Sequence, residues 1–153
     1  MVCRGFTTRG ISSPAGIESV VSIAAGDSHI LALKSEGTVV ASGSNAFGKA
    51  TVPDGLNSVA VSVGNNHSLA LKSDGTVVGW GSNTSGETTT PPGLNNVIAI
   101  AAGGAHSLVL KSDGTVVGWG SNTSGQTTIP PGLTDVIAIT VPDKCRGVNE
   151  RQG

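Results

Sequence analysis

The feature that most constrains this chain is a unit that returns every 38 or 39 residues. A histidine marks it, in Gly26-Asp-Ser-His29, Gly64-Asn-Asn-His67 and Gly103-Gly-Ala-His106. Downstream, the same offsets give Glu36-Gly37, Asp74-Gly75 and Asp113-Gly114, then Thr38-Val-Val40, Thr76-Val-Val78 and Thr115-Val-Val117. Trp80-Gly81 and Trp119-Gly120 stand where the first unit has Ser42-Gly43, and Pro53, Pro91 and Pro130 close the units. Leu71 to Gly86 is identical to Leu110 to Gly125. A fixed period of this length means a small supersecondary unit that buries its apolar face against its neighbours.

Each unit reads as strands. In the third, Val97 to Ala102 is an apolar run too short for a typical helix. Leu108 and Leu110 alternate with Ser107 and Val109, the period of two that puts successive side chains on opposite faces. Ser112-Asp113-Gly114 is a hairpin signal, because Asp and Gly tolerate the backbone such turns need. Thr115 to Gly120 is β-branched and aromatic, as a pleated buried surface prefers. The expectation is antiparallel hairpins over 29–43, 67–81 and 106–120, with essentially no helix. A short edge strand is expected over Gln126-Thr-Thr-Ile129, stopped by Pro130-Pro131. Three or four antiparallel strands in such a period is the signature of a propeller blade. The fold class is therefore all-β: antiparallel β-propeller blades in a partial propeller of three full repeats plus terminal half-blades. The expected divisions of the single repeat domain 1–153 are blades at 15–53, 54–91 and 92–130, half-blade pieces at 1–14 and 131–142, and a polar tail at 143–153. The first piece aligns loosely with Val77 to Gly86, and Val136-Ile-Ala-Ile139 repeats the start of a blade. A piece of a longer propeller is the plainer account of these leftovers; a composite blade made from both ends is the alternative.

The string running from Gly64 to Glu87, and again from Gly103 to Gln126, resembles repeats of the regulator of chromosome condensation family. The short period and the ending Gly125-Gln-Thr-Thr-Ile-Pro130 resemble its bacterial branch, which includes a β-lactamase-inhibitory propeller. The resemblance implies a seven-bladed propeller in complete members; here there are three clear repeats. It also implies a rival function, guanine-nucleotide exchange on a small GTPase. That reading expects an insertion into the repeats, and none interrupts them. The first repeat departs from the pattern at Ser42, which marks a relaxed or edge position.

Composition narrows the function. Charged residues are 12%, with Lys+Arg 9 against Asp+Glu 10. Nucleic-acid binding draws on Lys and Arg to neutralise phosphates, so this balance excludes it as an expectation. A basic membrane patch is excluded on the same ground. No apolar run is long enough to span a bilayer. MVCRGFTTRG lacks the apolar stretch of a secretory signal, so the cytoplasm is the default reading. Cys3 and Cys145 read as free thiols near opposite ends; a disulfide between them is the alternative in an oxidising compartment.

No cofactor or metal is expected. Equivalent side chains on stacked sheets start about 10 Å apart, whereas a shared zinc needs each nitrogen within about 2.1 Å. His29, His67 and His106 therefore read as pins, each holding the tight turn before its strand by bonding backbone groups. Trp80 and Trp119 read as packing between blades, and Asp74 and Asp113 as solvated turn residues. The sequons at Asn66, Asn83 and Asn122 are expected by chance in a chain rich in Ser, Thr and Asn. No triad or phosphate loop is visible, so the chain is expected not to be an enzyme. What remains is recognition of a protein partner by the loops at one end of the blades. The candidate residues are Asp27, Ser28, Asn45, Phe47, Asn65, Asn66, Asn83, Thr84, Asn122 and Thr123. Hot spots favour Trp, Tyr and Arg, and these loops offer one aromatic, Phe47, which speaks against a tight enzyme-inhibitory surface. Open blade faces at the two ends make a homo-oligomer the second expected partner.

Overall fold

The computed structural model describes residues 18–141. Cys3, Cys145, the half-blade piece 1–14 and the tail 143–153 lie outside the described residues. The nine strands among the described residues form three antiparallel sheets of three. The first sheet holds β1 (Val20–Ala25), β2 (His29–Lys34) and β3 (Val39–Gly43). The second holds β4 (Ser58–Val63), β5 (His67–Lys72) and β6 (Val77–Gly81). The third holds β7 (Val97–Ala102), β8 (His106–Lys111) and β9 (Val116–Gly120). The second and third strands pair as the expected hairpins, with His29 opposite Gly43, His67 opposite Gly81 and His106 opposite Gly120. The one helical element among the described residues is a single 3-10 turn, Ala46–Gly48.

Alternation along the central strand gives each blade two unlike faces. His29, Leu31 and Leu33 point one way from β2, toward the next blade; this is the trailing face. Ser68 and Ala70 of β5, with Trp80 of β6, point back toward the previous blade and make the leading face. Leu31, Leu33 and Val39 of blade 1 form one core with Ala70 and Trp80 of blade 2. Leu69, Leu71 and Val77 of blade 2 form the next with Val109 and Trp119 of blade 3. The core thus lies between blades, as the repeat pattern requires, and each blade depends on its neighbours for burial.

The first strand of every sheet carries a bulge. Val20 pairs with Lys34 and Ser22 with Leu33, leaving Val21 without a partner residue. Val59 and Ile98 occupy the same position. A bulged residue leaves the ladder and re-aims its side chain. Val21, Val59 and Ile98 are accordingly exposed, the last two even though their blades are covered on the leading side.

One element differs from the sequence reading. Gln126 to Ile129 is a turn followed by irregular chain, not an edge strand. Its backbone is spent locally: Thr127 N–H donates to Asn122 Oδ1 and Thr128 N–H to Gly125 O. Residues 131–141 begin as a blade does, with Val136 N–H donating to Gly114 O as Val97 N–H does to Gly75 O. Residues 131–141 hold no strand.

Candidate functional site

Because the central and third strands are antiparallel, the turn before each histidine and the loop after each third strand lie at the same end of the blade. Ser44 N–H donates to Ser28 O, Ser82 N–H to Asn66 O and Ser121 N–H to Ala105 O, at 2.7–2.8 Å. This end is the loop face, and the hairpin turns at Gly37, Gly75 and Gly114 lie at the other.

Each loop is held by its own asparagine. Asn83 Oδ1 accepts Thr88 N–H at 3.0 Å and its Nδ2 donates to Thr89 Oγ1 at 2.8 Å. Asn122 repeats this with Thr127 and Thr128, and Asn45 with Ala50 and Thr51. These three candidate binding side chains are thereby occupied as staples. Thr84 and Thr123 stand exposed at the tips of stapled loops. Phe47 is 62% exposed in left-handed backbone, φ 64°. Asp27 is exposed in the turn before His29.

Ser28, Asn65 and Asn66 are drawn together by a residue the sequence reading passed over. Lys49, 2% exposed, donates through Nζ to Ser28 Oγ and Asn66 Oδ1 at 2.8 Å each, and to Asn65 O at 3.2 Å. It clamps the loop end of blade 1 to the turn of blade 2. Burial pushes its ammonium below the usual lysine range, and the Asp27 carboxylate opposes that shift. The equivalent Glu87, also 2% exposed, turns back and accepts Ser85 N–H at 2.7 Å. Burial would raise its carboxyl, but hydrogen bonds from backbone N–H groups and Ser82 outweigh this and hold it below the carboxylate range. Gln126 caps Ser124 N–H in the same manner at 2.7 Å.

Beneath the loops runs a hydrogen-bond relay from blade to blade. His29 Nε2 meets Ser68 Oγ at 2.9 Å, Ser68 donates to Lys49 O at 3.0 Å, and Trp80 Nε1–H donates to the same carbonyl at 3.0 Å. His67, Ser107, Glu87 O and Trp119 repeat the arrangement at 3.1, 2.8 and 2.9 Å. Since each serine gives its proton to the carbonyl, it accepts from imidazole Nε2–H, which fixes the tautomer. Nδ1 of His29 and His67 is then a buried acceptor without a hydrogen-bond partner. Protonating it would strand a donor away from water, so both rings are held at about 4; burial is the main cause, with nearby Lys49 and His67 adding to it for His29. The histidines thus tie one blade to the next, where the sequence reading had each pinning its own turn by backbone bonds. The turn does receive the ring sterically: a Cβ on Gly64 would collide with the His67 imidazole.

The Regulator of chromosome condensation (RCC1) repeat matches this chain three times, at residues 20–49, 59–87 and 97–126. The chain belongs to the regulator of chromosome condensation repeat family. Each match runs from the first strand to the Lys49, Glu87 or Gln126 position, so it spans the histidine and the column whose carbonyl the relay uses at Lys49 and Glu87. Among solved structures of this type, Prp20p from Saccharomyces cerevisiae aligns at 27% identity and TM-score 0.64, over 73% of this chain and 33% of its own. The ectodomain of the Physcomitrella patens receptor kinase CR4 aligns at 26% and 0.59, over 74% and 33%. Human WBSCR16, at 24% and 0.62 over 76% and 38%, shares the fold. The chain spans about a third of the length of these structures. No curated protein matches it. No helix among the described residues is long and apolar enough to cross a membrane.

Proposed function

We propose that this regulator of chromosome condensation repeat chain is a non-catalytic scaffold that binds a protein through its loop face. The observation that carries this is a rigid loop end presenting one exposed aromatic. The asparagine staples and the Lys49 clamp fix the loops before a partner arrives, which lowers the ordering cost of association. Phe47 then supplies the kind of side chain that anchors interfaces, and Asp27, Thr84 and Thr123 are exposed on the same loop face. Prp20p, described with its binding to Gsp1p and histones, supports a protein as the partner class. The same likeness favours a second reading, regulation of a small GTPase by nucleotide exchange.

A photo-crosslinking side chain placed at Phe47, Thr84 or Thr123 is expected to trap one common partner, and the same group at Asp74 or Asp113 to trap none. Trapping at the hairpin turns instead would overturn the reading. Accelerated nucleotide release from a GTPase partner would favour the second reading over the first.

A further inference from the structure

The three loops after the third strands are one turn built in two forms. In each, the carbonyl of the stapling asparagine accepts the N–H three residues on: Asn45 O from Gly48, Asn83 O from Gly86 and Asn122 O from Gly125, at 2.9–3.2 Å. The third residue of the turn is Phe47, Ser85 or Ser124. Phe47 stands at φ 64°, ψ 10°, the left-handed third position of a type II turn. Neither Ser85 nor Ser124 is left-handed, as a type I turn requires. The two forms differ by a flip of the peptide between the second and third residues, which reverses the third residue's N–H. Left-handed backbone crowds a Cβ against the neighbouring carbonyl, so a type II turn normally carries glycine at this place. A phenylalanine there calls for a cause.

The cause lies two residues on. In blades 2 and 3 the N–H has an acceptor within its own loop: Ser85 N–H donates to Glu87 Oε2 and Ser124 N–H to Gln126 Oε1, at 2.7 Å each. That bond holds the peptide in the type I setting. In blade 1 the place belongs to Lys49. Its ammonium has no lone pair to offer and is spent on Ser28, Asn65 and Asn66. A Phe47 N–H set as in the other loops would face a side chain that cannot accept it. The peptide is flipped instead, and Ala46 O accepts Lys49 N–H at 3.4 Å.

We infer that Lys49 is the positioning residue for Phe47: by withholding an acceptor it selects the flipped turn, which directs the Phe47 N–H away from residue 49 and sets the aim of the exposed ring. The ring is 62% exposed, and its N–H lacks the acceptor that both counterparts have, so a partner gains by supplying a socket and an acceptor together. The partner this fits is a protein with an apolar socket for one phenyl ring and a carbonyl oxygen at the rim. That partner chemistry rests on the loop face being the binding surface; the role of Lys49 does not.

Backbone NMR of the full chain tests the role, reading φ at residue 47 from the three-bond HN–Hα and one-bond Cα–Hα couplings. K49Q supplies the acceptor that Gln126 supplies in blade 3, and is expected to bring Phe47 to negative φ. K49M removes the clamp without offering an acceptor, and is expected to leave Phe47 left-handed. A left-handed Phe47 in K49Q, or a negative φ in K49M, would overturn the inference. Should neither variant fold, Q126K puts the same question to blade 3, away from the clamp: Ser124 is expected to turn left-handed, and a negative φ there overturns the inference. The partner chemistry is read separately, with a photo-crosslinking side chain at Thr84. Capture by wild type is expected to be lost in F47A and in K49Q and kept in K49M. Capture that survives in K49Q after φ has turned negative would refute the partner assignment. No capture by wild type would refute it together with the loop-face reading, while φ at Phe47 still decides the role of Lys49.

Discussion

The junction between blades 1 and 2 and the junction between blades 2 and 3 are built on one plan with opposite charges. Both use histidine, serine, a loop carbonyl and tryptophan in the same geometry. Yet the residue supplying the carbonyl is Lys49 in one and Glu87 in the other, each almost fully buried. The relay addresses the backbone oxygen, so it leaves the side chain unspecified. What each side chain then does follows from its hydrogen-bonding inventory. A carboxylate or an amide accepts the N–H two residues back in its own loop, as Glu87 and Gln126 do. An ammonium can only donate, so Lys49 reaches forward to the neighbouring blade. The lysine survives burial there because Ser28, Asn65 and Asn66 supply three oxygens. At the second junction the place of Asn66 is taken by Ala105, which has none to give.

The largest expected effect comes from removing what the junctions share. Trp80→Ala and Trp119→Ala should each cost about 3–5 kcal/mol in chemical denaturation, because an interblade core loses its largest side chain. Trp80→Phe keeps an aromatic ring but loses the N–H and part of the indole's volume, so it should cost about 1–3 kcal/mol, less than the alanine variant. If the Phe variant fell as far as the Ala variant, the hydrogen bond and not the packing would hold the junction.

Acid should come next, acting on both junctions at once. His29 and His67 are held at about 4 in the fold against an ordinary 6.5. Between these values the unfolded chain binds more protons than the folded one. Stability is therefore full above pH 6.5 and falls as pH drops toward 4, by at most about 1.4 kcal/mol per pH unit for each histidine. Urea midpoints at pH 7, 6 and 5 measure this. His67→Asn should lower stability at pH 7 and flatten the pH slope by about half.

Exchanging the charges sharpens the comparison. Glu87→Lys should cost about 1–3 kcal/mol, since the buried ammonium finds one acceptor fewer than Lys49 has. Adding Ala105→Asn should return part of that loss, and no recovery in a thermal melt would show that Asn66 is not what makes Lys49 tolerable. Glu87→Gln should be the mildest change, within about 0.5 kcal/mol, because Gln126 already performs the same capping.

The blades were legible in the sequence because the markers at the histidine, the Asp-Gly turn and the Val-Val-x-Trp strand keep fixed offsets, and each is local. The relay was not. His29 and Ser68 are 39 residues apart, close to the repeat period, so a bond between units is indistinguishable from the repetition itself. The signal available was the joint loss of serine and tryptophan in the first unit; Ser42 was noticed, while Ile30 passed unremarked. Lys49, Glu87 and Gln126 were overlooked for a related reason: three unlike residues in one column read as loop variation, although all three are anchored. The sequence overstates an edge strand over Gln126 to Ile129 because its β-branched residues suit one, while Asn122 and Gly125, earlier in the loop, take the Thr127 and Thr128 N–H groups. Of the candidate binding residues, Asn45, Asn83 and Asn122 read as free polar loop groups in the sequence, whereas their side chains are hydrogen-bonded within their own loops, which only the coordinates show.

A contact addressed to a main-chain oxygen cannot be deleted by changing the side chain that carries it. A copy of a unit that bears the serine and the tryptophan, as the second and third do, therefore delivers a receiver already matched to the giver upstream. The carrier position runs from cation at Lys49 to anion at Glu87 without unstitching the array. A lineage that grows by copying whole units gains length at no cost in fit.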